Sequence, residues 1–224
     1  MEHFFTDAFA GCSDADKESF YKTVFLNDPS DYAKALRKKY YAGVLKHMGE
    51  NVEIGTNVKF VNPQFISLGD NVKIADDVTL IARGPGGITI ENDCYIQERV
   101  YLDTEIKNEG YILIKHDTYI GVGCTFFGHA GLEIGDNTLI AQNVTLTPYS
   151  HKYEDPEKLI WNQGGHYKKV VIGRDCYIGM GVCIMYTGDI GEGSIVGAGS
   201  TVVKPIPPYS VAVGCPAKVI KART

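Results

Sequence analysis

A repeat of six residues constrains the fold of this chain more than any other feature of its sequence. Between residues 170 and 202, an aliphatic residue followed by glycine recurs every six positions. The repeat includes Ile172-Gly173, Ile178-Gly179, Ile190-Gly191 and Val196-Gly197, and only the register at Ile184-Met185 lacks its glycine. Less regular copies of the hexad begin at Ile54-Gly55 and continue at residues 74–79, 90–101, 114–125 and 134–145.

The period of the repeat predicts parallel strands wound into a solenoid. A period of two would indicate an antiparallel sheet, and a period of about 3.6 would indicate a helix. One inward aliphatic residue in each hexad, with polar turn residues between, fits short parallel strands joined by tight turns. Glycine, asparagine and aspartate at those turns tolerate positive φ. Three hexads return the chain to the same face, so we expect an all-β triangular solenoid with about 18 residues in each coil.

The residues before the first hexad predict an N-terminal helical cap. Ser13 and Asp16 have the spacing of a capping box, and a second helix is expected to begin at Ser30 and to end at Gly49. The stripe predicted for this helix is Tyr32, Leu36, Tyr40, Val44 and Met48, with Tyr41 and Leu45 beside it. The predicted division of the chain is a helical cap at 1–49, a β-helix at 50–213 carrying a loop at 147–169, and a tail at 214–224.

Composition limits the classes of function that the chain can have. The 224 residues are 44% hydrophobic with a formal net charge of -5, which suits one sizeable core and argues against a nucleic-acid partner. No apolar run is long enough to insert into a membrane, and the acidic N-terminus lacks the cationic region of a signal peptide, so we expect a cytoplasmic protein. The six cysteines form no CxxC pair and are expected to be free thiols. Four of them fall on or beside small, buried repeat positions, namely Cys94, Cys124, Cys176 and Cys183.

Three insertions interrupt the repeat, at residues 82–87, 103–111 and 147–169. Insertions in a solenoid are expected on one face, which is often the binding face. The third insertion carries two of the six histidines and the only tryptophan, Trp161. A solenoid gains no core from such a loop, so we expect it to serve function.

The sequence around the third insertion resembles a family of enzymes. The segment NVTLTPYSH, a loop, the segment IGRDCYIGMG and the closing KPIPPYSVAVGCPAKVIKAR are similar to the hexapeptide-repeat acyltransferases, and in particular to the galactoside, maltose and exopolysaccharide O-acetyltransferases. The resemblance implies a left-handed parallel β-helix. It also implies direct transfer of acetyl from acetyl-CoA to a saccharide hydroxyl, in a homotrimer whose active sites lie between subunits. The acceptor would belong to a surface polysaccharide or its precursor.

The resemblance assigns the general base to His151, which follows the NVT coil. A sugar hydroxyl is a poor nucleophile at neutral pH, and imidazole is suited to removing its proton as it attacks the thioester. The orientation of the second ring nitrogen is left open between a backbone carbonyl, Glu154 and Asp155. His166 is either an acceptor contact or, as we favour, a surface residue, and His116 on a turn is expected to be structural.

The resemblance also implies where the coenzyme binds. The Met180 amide would donate to the oxyanion of the tetrahedral intermediate, and Tyr177 would form an aromatic wall beside the thioester. The remaining coenzyme positions implied by the resemblance are Ala198, Val203, Lys204, Lys218 and Lys221. The last two lysines replace arginines of the galactoside enzymes, so they would meet the nucleotide phosphates as point charges.

The acceptor side departs from the family pattern. Galactoside acetyltransferases place an asparagine and an aspartate on the coils facing the histidine, and the matching positions here are Gly121 and His129. Asp7, in a phrase similar to a sugar-contacting stretch, and Asp103, in the second insertion, are further candidates for acceptor binding. Asp7 could equally cap a helix, and the second insertion could simply cover the solenoid edge.

Three alternative functions are weighed against O-acetylation. An N-acetyltransferase acting on an amino sugar would use the same base with a different acceptor pocket. A zinc enzyme is disfavoured, because His116, His129, His151 and His166 do not reproduce the close pair that such a site needs, and we expect no metal requirement. A catalytically inert β-helix scaffold would bind no acetyl-CoA.

Overall fold

Short parallel strands wind around a continuous apolar core in a computed structural model, which describes residues 13–105 and 110–224. The strands stack in three sheets, here called sheets 1, 2 and 3 in the order in which each coil visits them. Sheet 3 contains seven strands, so the chain completes seven coils. The predicted β-solenoid is confirmed.

Strands are numbered along the chain. Sheet 1 contains β1 (His47–Met48), β4 (Ile66–Leu68), β7 (Ile88–Ile90), β10 (Ile112–Ile114), β13 (Leu132–Ile134) and β18 (Val170–Ile172). Sheet 2 contains β2 (Glu53–Ile54), β5 (Lys73–Ile74), β8 (Tyr95–Ile96), β11 (Tyr119–Ile120), β14 (Leu139–Ile140), β19 (Tyr177–Ile178), β21 (Ile195–Val196), β23 (Ser210–Val213) and β24 (Lys218–Ala222). Sheet 3 contains β3 (Lys59–Val61), β6 (Thr79–Ile81), β9 (Tyr101–Asp103), β12 (Thr125–Phe127), β15 (Thr145–Leu146), β20 (Cys183–Ile184) and β22 (Thr201–Val202).

The inward aliphatic residue of each hexad stacks on its counterpart in the next coil. In sheet 2, Ile96 pairs in register with Ile120, and Ile120 with Ile140. Their side chains are fully buried. At the turns, asparagine and aspartate adopt left-handed φ between 52° and 60°, as predicted, at Asn51, Asn57, Asn62, Asn71, Asp77, Asp93, Asp117, Asn137, Asn143 and Asp175.

The predicted coil length of about 18 residues is correct only near the C-terminus. Ile172 bridges to Ile190, which is 18 residues further on, but Ile120 pairs with Ile140, which is 20 residues further on. The additional residues lie between sheet 3 and sheet 1. Phe126 of sheet 3 follows the buried Ile120 of sheet 2 by six positions. The buried Ile134 of sheet 1 follows Phe126 by eight positions. The six-residue spacing is therefore kept from sheet 1 through sheet 2 to sheet 3. It is lost between sheet 3 and the next strand of sheet 1, where one run of hexads ends and the next begins.

All three insertions leave the solenoid at the same corner. The second insertion begins one residue later than predicted, because Asp103 is the last residue of β9. The segments 82–87, 104–111 and 147–169 each follow a strand of sheet 3 and precede a strand of sheet 1. We call this edge the 3–1 corner. Insertion within a strand would break the coil-to-coil register, and the corner is where loops can leave without disturbing the core.

From residue 13 onward, where the description of the structure begins, two helices precede the first complete coil. Helix α1 (Asp14–Asn27) begins with the predicted capping box between Ser13 and Asp16. Helix α2 (Asp31–Ala42) has Ser30 as its N-cap. It ends before Gly43 and not at Gly49, because the chain from His47 onward pairs with β4 in sheet 1.

The buried face of α2 differs from the predicted stripe. Its fully buried residues are Ala33, Arg37 and Tyr41, whereas Tyr32 is largely exposed. The Arg37 guanidinium donates to the backbone carbonyls of Phe25, Asp28 and Ile54, which joins both helices to the first coil. The centre of the buried face of α2 is therefore an arginine and not an apolar side chain.

The described cysteines are free, and one prediction of burial is wrong. Cys94, Cys124 and Cys176 are buried, but Cys183 is exposed because it is the outward residue of its two-residue strand. At the C-terminus, β24 folds back antiparallel to β23. Within residues 13–105 and 110–224, no helix combines the length and apolarity that crossing a membrane requires.

Candidate active site

The third insertion is an ordered hairpin that projects from the 3–1 corner. Its two strands, β16 (Tyr149–His151) and β17 (Gly165–Tyr167), pair antiparallel, with His151 opposite Gly165. The turn beyond them is fixed by Gln163, whose side chain accepts the Asp155 amide hydrogen and donates to the carbonyls of Asp155 and Lys158. The loop therefore holds His151 on a defined backbone, although it contributes nothing to the core.

His151 is exposed and is contacted by one tyrosine. Alternate residues of a strand share a face, so Tyr149 and His151 lie side by side on β16. The Tyr149 hydroxyl lies 2.8 Å from Nδ1 and 3.2 Å from Nε2 of His151. The two rings meet edge to face, with centroids 4.9 Å apart.

Tyr149 is itself held on three sides. Its ring stacks on His129 at 5.2 Å with an interplanar angle of 18°, and it packs against Tyr167 at 4.9 Å. On the third side the ring packs directly against Gly165, where a Cβ would lie 2.0 Å from the Tyr149 ring. Burial raises the pKa of Tyr149, with a smaller contribution from Tyr167, so the phenol keeps its proton at neutral pH.

His129, which stacks on Tyr149, lies at the same corner on the preceding coil. It lies in the short turn that joins β12 to β13, and its Nδ1 is buried without a hydrogen-bond partner among the described residues. Burial lowers the pKa of His129, against opposing contributions from the carboxylates of Glu105 and Asp103. The neutral imidazole is therefore favoured, with a polar atom that a ligand could satisfy.

Asp103 lies further down the same corner and is almost fully buried. Its carboxylate accepts two hydrogen bonds from Arg83, each of 2.8 Å, and others from the Tyr101 hydroxyl and the Glu105 amide. Burial alone would raise the pKa of Asp103, but these hydrogen bonds outweigh burial and lower the pKa. Every oxygen of this carboxylate is engaged, so Asp103 supports the corner and leaves little capacity for an acceptor.

The carboxylates considered as partners of His151 are used elsewhere in the hairpin. Glu154 pairs with His166 at 3.0 Å, and Asp155 pairs with Lys158 at 2.8 Å. His166 also stacks on Tyr186, with 5.8 Å between the ring centroids. The hydroxyl beside the His151 ring therefore belongs to Tyr149, which was not among the expected partners.

Most of the predicted coenzyme positions lie on parts of the solenoid away from the 3–1 corner. Tyr177 faces outward from sheet 2, while Met180 and Ala198 lie on successive coils at the corner between sheets 2 and 3. Met180 is 54% exposed, and its amide donates no hydrogen bond within the described chain, so it is free to donate to a ligand. Lys218 and Lys221 are exposed on β24, opposite Val213 and Val211 of the neighbouring strand.

Val203 and Lys204 lie apart from this group. They follow β22 at the 3–1 corner, and the Val203 carbonyl accepts a hydrogen bond from Thr187 at 2.7 Å. Lys204 is exposed. Asp7 lies outside the described residues.

Within one chain, the predicted base and the predicted oxyanion donor are not brought together. His151 projects from one edge of sheet 3, and Met180 lies at the opposite edge. About five extended residues separate the two edges, which corresponds to roughly 15 Å. Direct transfer needs both groups within hydrogen-bond reach of one reacting centre.

Two other features of the surface lie away from His151. A groove of about 580 Å³ between α2 and the first coils of sheet 2 is lined in part by Lys34, Lys38 and Lys73. Separately, ligand atoms of Glu91, His116 and Asp136 lie within 4.8 Å of one another at the corner between sheets 1 and 2. His116 Nε2 is 3.0 Å from Glu91 there, so this histidine has a structural partner.

Tyr149 and Arg83 lie at the 3–1 corner, but neither was predicted from the sequence as a site residue. A signal for Tyr149 was available, since it lies two residues before His151 in a segment that leaves a strand, and such residues share a face. Arg83 had a weaker signal. It is the second residue of the first insertion, and Asp103 follows it by 20 residues, which is the observed length of a coil.

The coils on both sides of the hairpin match a known sequence family. The profile described as "Hexapeptide repeat of succinyl-transferase" matches residues 112–148 and 169–204. The match leaves the hairpin itself out. The repeat that was predicted from the spacing of aliphatic residues is thus confirmed independently.

Among curated proteins, the chain is 34% identical to the galactoside O-acetyltransferase of Escherichia coli K12 over 133 residues, which is 59% of this chain and 63% of that one. It is 29% identical to the dTDP-4-amino-4,6-dideoxy-D-glucose acyltransferase of Escherichia coli over 179 residues, covering 80% and 83% of the two chains. The chain spans about half the length of several curated relatives that it matches, between 39% and 63% for three of them.

Among solved structures, the N-acyltransferase AntD from Bacillus cereus has a TM-score of 0.57 at 22% identity, covering 84% of this chain and 88% of that one. Its crystals contain dTDP and 3-hydroxybutyryl-CoA. The likeness supports the fold assignment, and the resemblance to the hexapeptide-repeat acetyltransferases is confirmed by the sequence matches.

The hydrogen-bonded state of Asp103 predicts a specific pH dependence of stability. A carboxylate whose pKa is lower in the folded chain than its ordinary value of 3.8 stabilises the fold above about pH 5 and loses this contribution as the pH falls through the folded pKa. The free energy of unfolding of the unaltered protein should therefore fall more steeply below about pH 4 than that of Asp103→Asn. Urea denaturation at several pH values measures this.

The matched control is Asp31→Asn, because the Asp31 side chain is fully exposed. This variant should follow the pH dependence of the unaltered protein. If Asp103→Asn also followed it, the carboxylate would not be stabilised by its partners in the manner described.

Proposed function

We propose that this hexapeptide-repeat protein is an acetyl-CoA-dependent transferase that moves an acetyl group to a hydroxyl of a saccharide. One observation carries the proposal: the repeat is interrupted by an ordered hairpin that holds an exposed histidine, His151, beside the NVT coil. A scaffold would have no need of such a loop. Sequence similarity to a galactoside O-acetyltransferase supports the class of reaction.

The proposed step is direct transfer with His151 as general base. The acceptor hydroxyl oxygen attacks the thioester carbonyl carbon, while one ring nitrogen of His151 takes the hydroxyl proton. The carbonyl oxygen becomes an oxyanion, to which the Met180 amide donates. Collapse of the intermediate breaks the carbon–sulfur bond, and the imidazolium returns the proton to the departing thiolate. The products are the acetyl ester and coenzyme A.

The separation of His151 from Met180 supports assembly of the site from two chains. Sheet 2 presents a strip of outward apolar residues on consecutive coils, formed by Tyr95, Tyr119, Leu139, Tyr177 and Ile195. Tyr95, Leu139 and Tyr177 are each more than a third exposed. A contiguous apolar strip of this kind is typical of an interface. We propose a homotrimer in which the hairpin of one copy faces the Met180 corner of its neighbour.

The acceptor has a second candidate chemistry. The dTDP-4-amino-4,6-dideoxy-D-glucose acyltransferase is similar over 80% of this chain, a longer stretch than the galactoside enzyme covers. An amino sugar would therefore serve as acceptor in the alternative function, N-acetylation. The base would have the same role, because a neutral amine also releases a proton once it has attacked.

Replacement of His151 tests the proposed base. His151→Ala should lower acceptor-dependent release of thiol from acetyl-CoA by roughly 10²–10⁴-fold, the usual contribution of a general base. The assay uses a panel of sugars, matched amino sugars and oligosaccharides, so that the active member also names the acceptor class. His116→Ala is the control, since His116 lies at a different corner, and it should retain activity.

Each outcome of this assay is informative. Unchanged release in His151→Ala would remove His151 as the base. No release with any acceptor, together with no binding of acetyl-CoA, would establish the inert scaffold instead.

The exposed lysines of β24 predict a selective effect on coenzyme binding. Exchange of both Lys218 and Lys221 for Ala should raise the KM for acetyl-CoA roughly 10-fold, taking about 0.7 kcal/mol for each exposed contact with phosphate. The kcat and the KM for the acceptor should not change. Lys59→Ala, an exposed lysine on sheet 3, should have no effect, and an unchanged KM in the double variant would place the coenzyme elsewhere.

The apolar strip predicts the mass of the protein in solution. Sedimentation velocity should give three times the 24.6 kDa of a single chain. Leu139→Lys, which places a charge in the middle of the strip, should lower the mass and abolish activity together. A monomeric and active unaltered protein would contradict the proposed trimer.

A further inference from the structure

Three potential metal ligands meet at the corner between sheets 1 and 2, away from the hairpin. The side-chain ligand atoms of Glu91, His116 and Asp136 all lie within 4.8 Å of one another. The three residues follow β7, β10 and β13, which are consecutive strands of sheet 1. We propose that these side chains bind one divalent transition-metal ion, which holds three successive coils together. The inference does not rest on the proposed function, because the ion takes no part in the transfer.

The donor set indicates which ions the site would select. His116 supplies an imidazole nitrogen, and the other two residues supply carboxylate oxygens. Imidazole suits Zn²⁺ and other first-row transition ions, whereas Ca²⁺ and Mg²⁺ take oxygen ligands. Two ligand atoms on a tetrahedral Zn²⁺ lie about 3.4 Å apart, given bonds of about 2.1 Å. From separations of at most 4.8 Å, the widest pair would therefore close by no more than about 1.4 Å, which rotation of partly exposed side chains allows.

Asp136 departs from the turn pattern of the earlier coils. Asp70 and Asn92 occupy the same turn position, two residues beyond a strand of sheet 1, and each accepts a backbone amide hydrogen from the preceding coil, at 2.7 Å and 2.9 Å. Within residues 13–105 and 110–224, the Asp136 carboxylate accepts no hydrogen bond and forms no ion pair, even with Arg174 on the following coil. Its oxygens are therefore available as ligands.

His116 and Glu91 are already directed at each other. Nε2 of His116 lies 3.0 Å from Oε2 of Glu91, and the two side chains are 49% and 30% exposed. When the ion binds, the imidazole carries its proton on Nδ1, so Nε2 and the carboxylate exchange their hydrogen bond for bonds to the metal. An imidazolium would place one positive charge between the two carboxylates, whereas a divalent ion places two there and binds all three donors. Water can complete the coordination, because His116 is exposed.

The position of the site indicates a structural role for the ion. The first two insertions, 82–87 and 104–111, enter β7 and β10 at the 3–1 corner. Longer connections between coils cost more conformational entropy on folding. Glu91 and His116 lie beyond the other ends of these two strands, so a metal there would join both coils to the coil of β13. Binding to the folded chain alone stabilises the fold.

Calorimetric titration of the intact protein, freed of metal by a chelator, tests the proposal. Zn²⁺ should bind at one strong site in each chain, Co²⁺ should compete for it, and equal concentrations of Mg²⁺ or Ca²⁺ should not. A partner that only orients a metal ligand contributes about 10-fold to 100-fold in affinity, so loss of a ligand itself should cost at least that. His116→Ala and Asp136→Asn should therefore each raise the Kd for Zn²⁺ at least about 10-fold.

The matched control for the titration is His166→Ala. It removes a partly exposed histidine whose Nε2 likewise lies 3.0 Å from a glutamate, but at the hairpin. This variant should keep the Kd of the unaltered protein, which would show that a histidine beside one carboxylate is not sufficient to bind the ion.

Thermal denaturation measures the stabilisation separately. With free Zn²⁺ at about 100 times its Kd, the Tm of the unaltered protein should rise by about 5–10 °C. Asp136→Asn keeps the shape of the side chain and removes its charge, so its Tm without metal should be no lower than that of the unaltered protein. The same concentration of Zn²⁺ should leave the Tm of this variant unchanged.

Two results would overturn the proposal. One is an equal Kd for Zn²⁺ in the unaltered protein, His116→Ala and Asp136→Asn, which would place the ion at other histidines. The other is a lack of binding of both Zn²⁺ and Co²⁺ to the unaltered protein, which would leave the three side chains as a surface cluster only. Neither measurement uses acetyl-CoA or an acceptor, so failure of the proposed transfer and failure of the metal site are told apart.

Discussion

The in-register stack of coils is the constraint on which the rest of the molecule depends. Each coil donates backbone hydrogen bonds to the next, as from Gly55 to Ile74 and from Gly121 to Ile140, both at 2.8 Å. Each also buries aliphatic columns along every sheet, so a residue added within a strand would move the side chains beyond it out of the core. Chain can therefore be added only where it leaves the stack between sheets. The three insertions, and with them the candidate active site, lie at such a place.

The same constraint explains what the sequence could predict. Inward residues repeat at a fixed interval within each run of hexads, so Ile172, Ile178 and their counterparts were sufficient to predict parallel strands joined by tight turns. The true coil length was not predictable in this way, because the additional residues lie at the 3–1 corner, between one run of hexads and the next. Burial of Arg37 was also missed, since a hydrophobic pattern cannot recognise an arginine whose Nε and Nη1 donate to three backbone carbonyls.

Within the site, local contacts were predictable and contacts between coils were not. His151 follows from a motif, and Tyr149 from the alternation of one strand. The stack of Tyr149 on His129 joins residues 20 apart, and so does the pair of Arg83 with Asp103. Such pairs depend on the length of each intervening coil, which the insertions vary. The separation of His151 from Met180 was likewise not predictable from the sequence. Only the assignment of strands to sheets shows that sheet 3 lies between the two residues.

The polar groups along the 3–1 corner differ in how far they are buried and in how many partners they have. Asp103 is held as an anion by Arg83, and its oxygens are engaged. Burial favours the neutral form of both His129 and Tyr149 by lowering the pKa of the first and raising that of the second. His151 is the exposed member of this line. A solenoid cannot place several side chains around one point from within a single coil. It can stack them on successive coils, and at the 3–1 corner the stacked groups run from the buried, fully engaged Asp103 to the exposed His151.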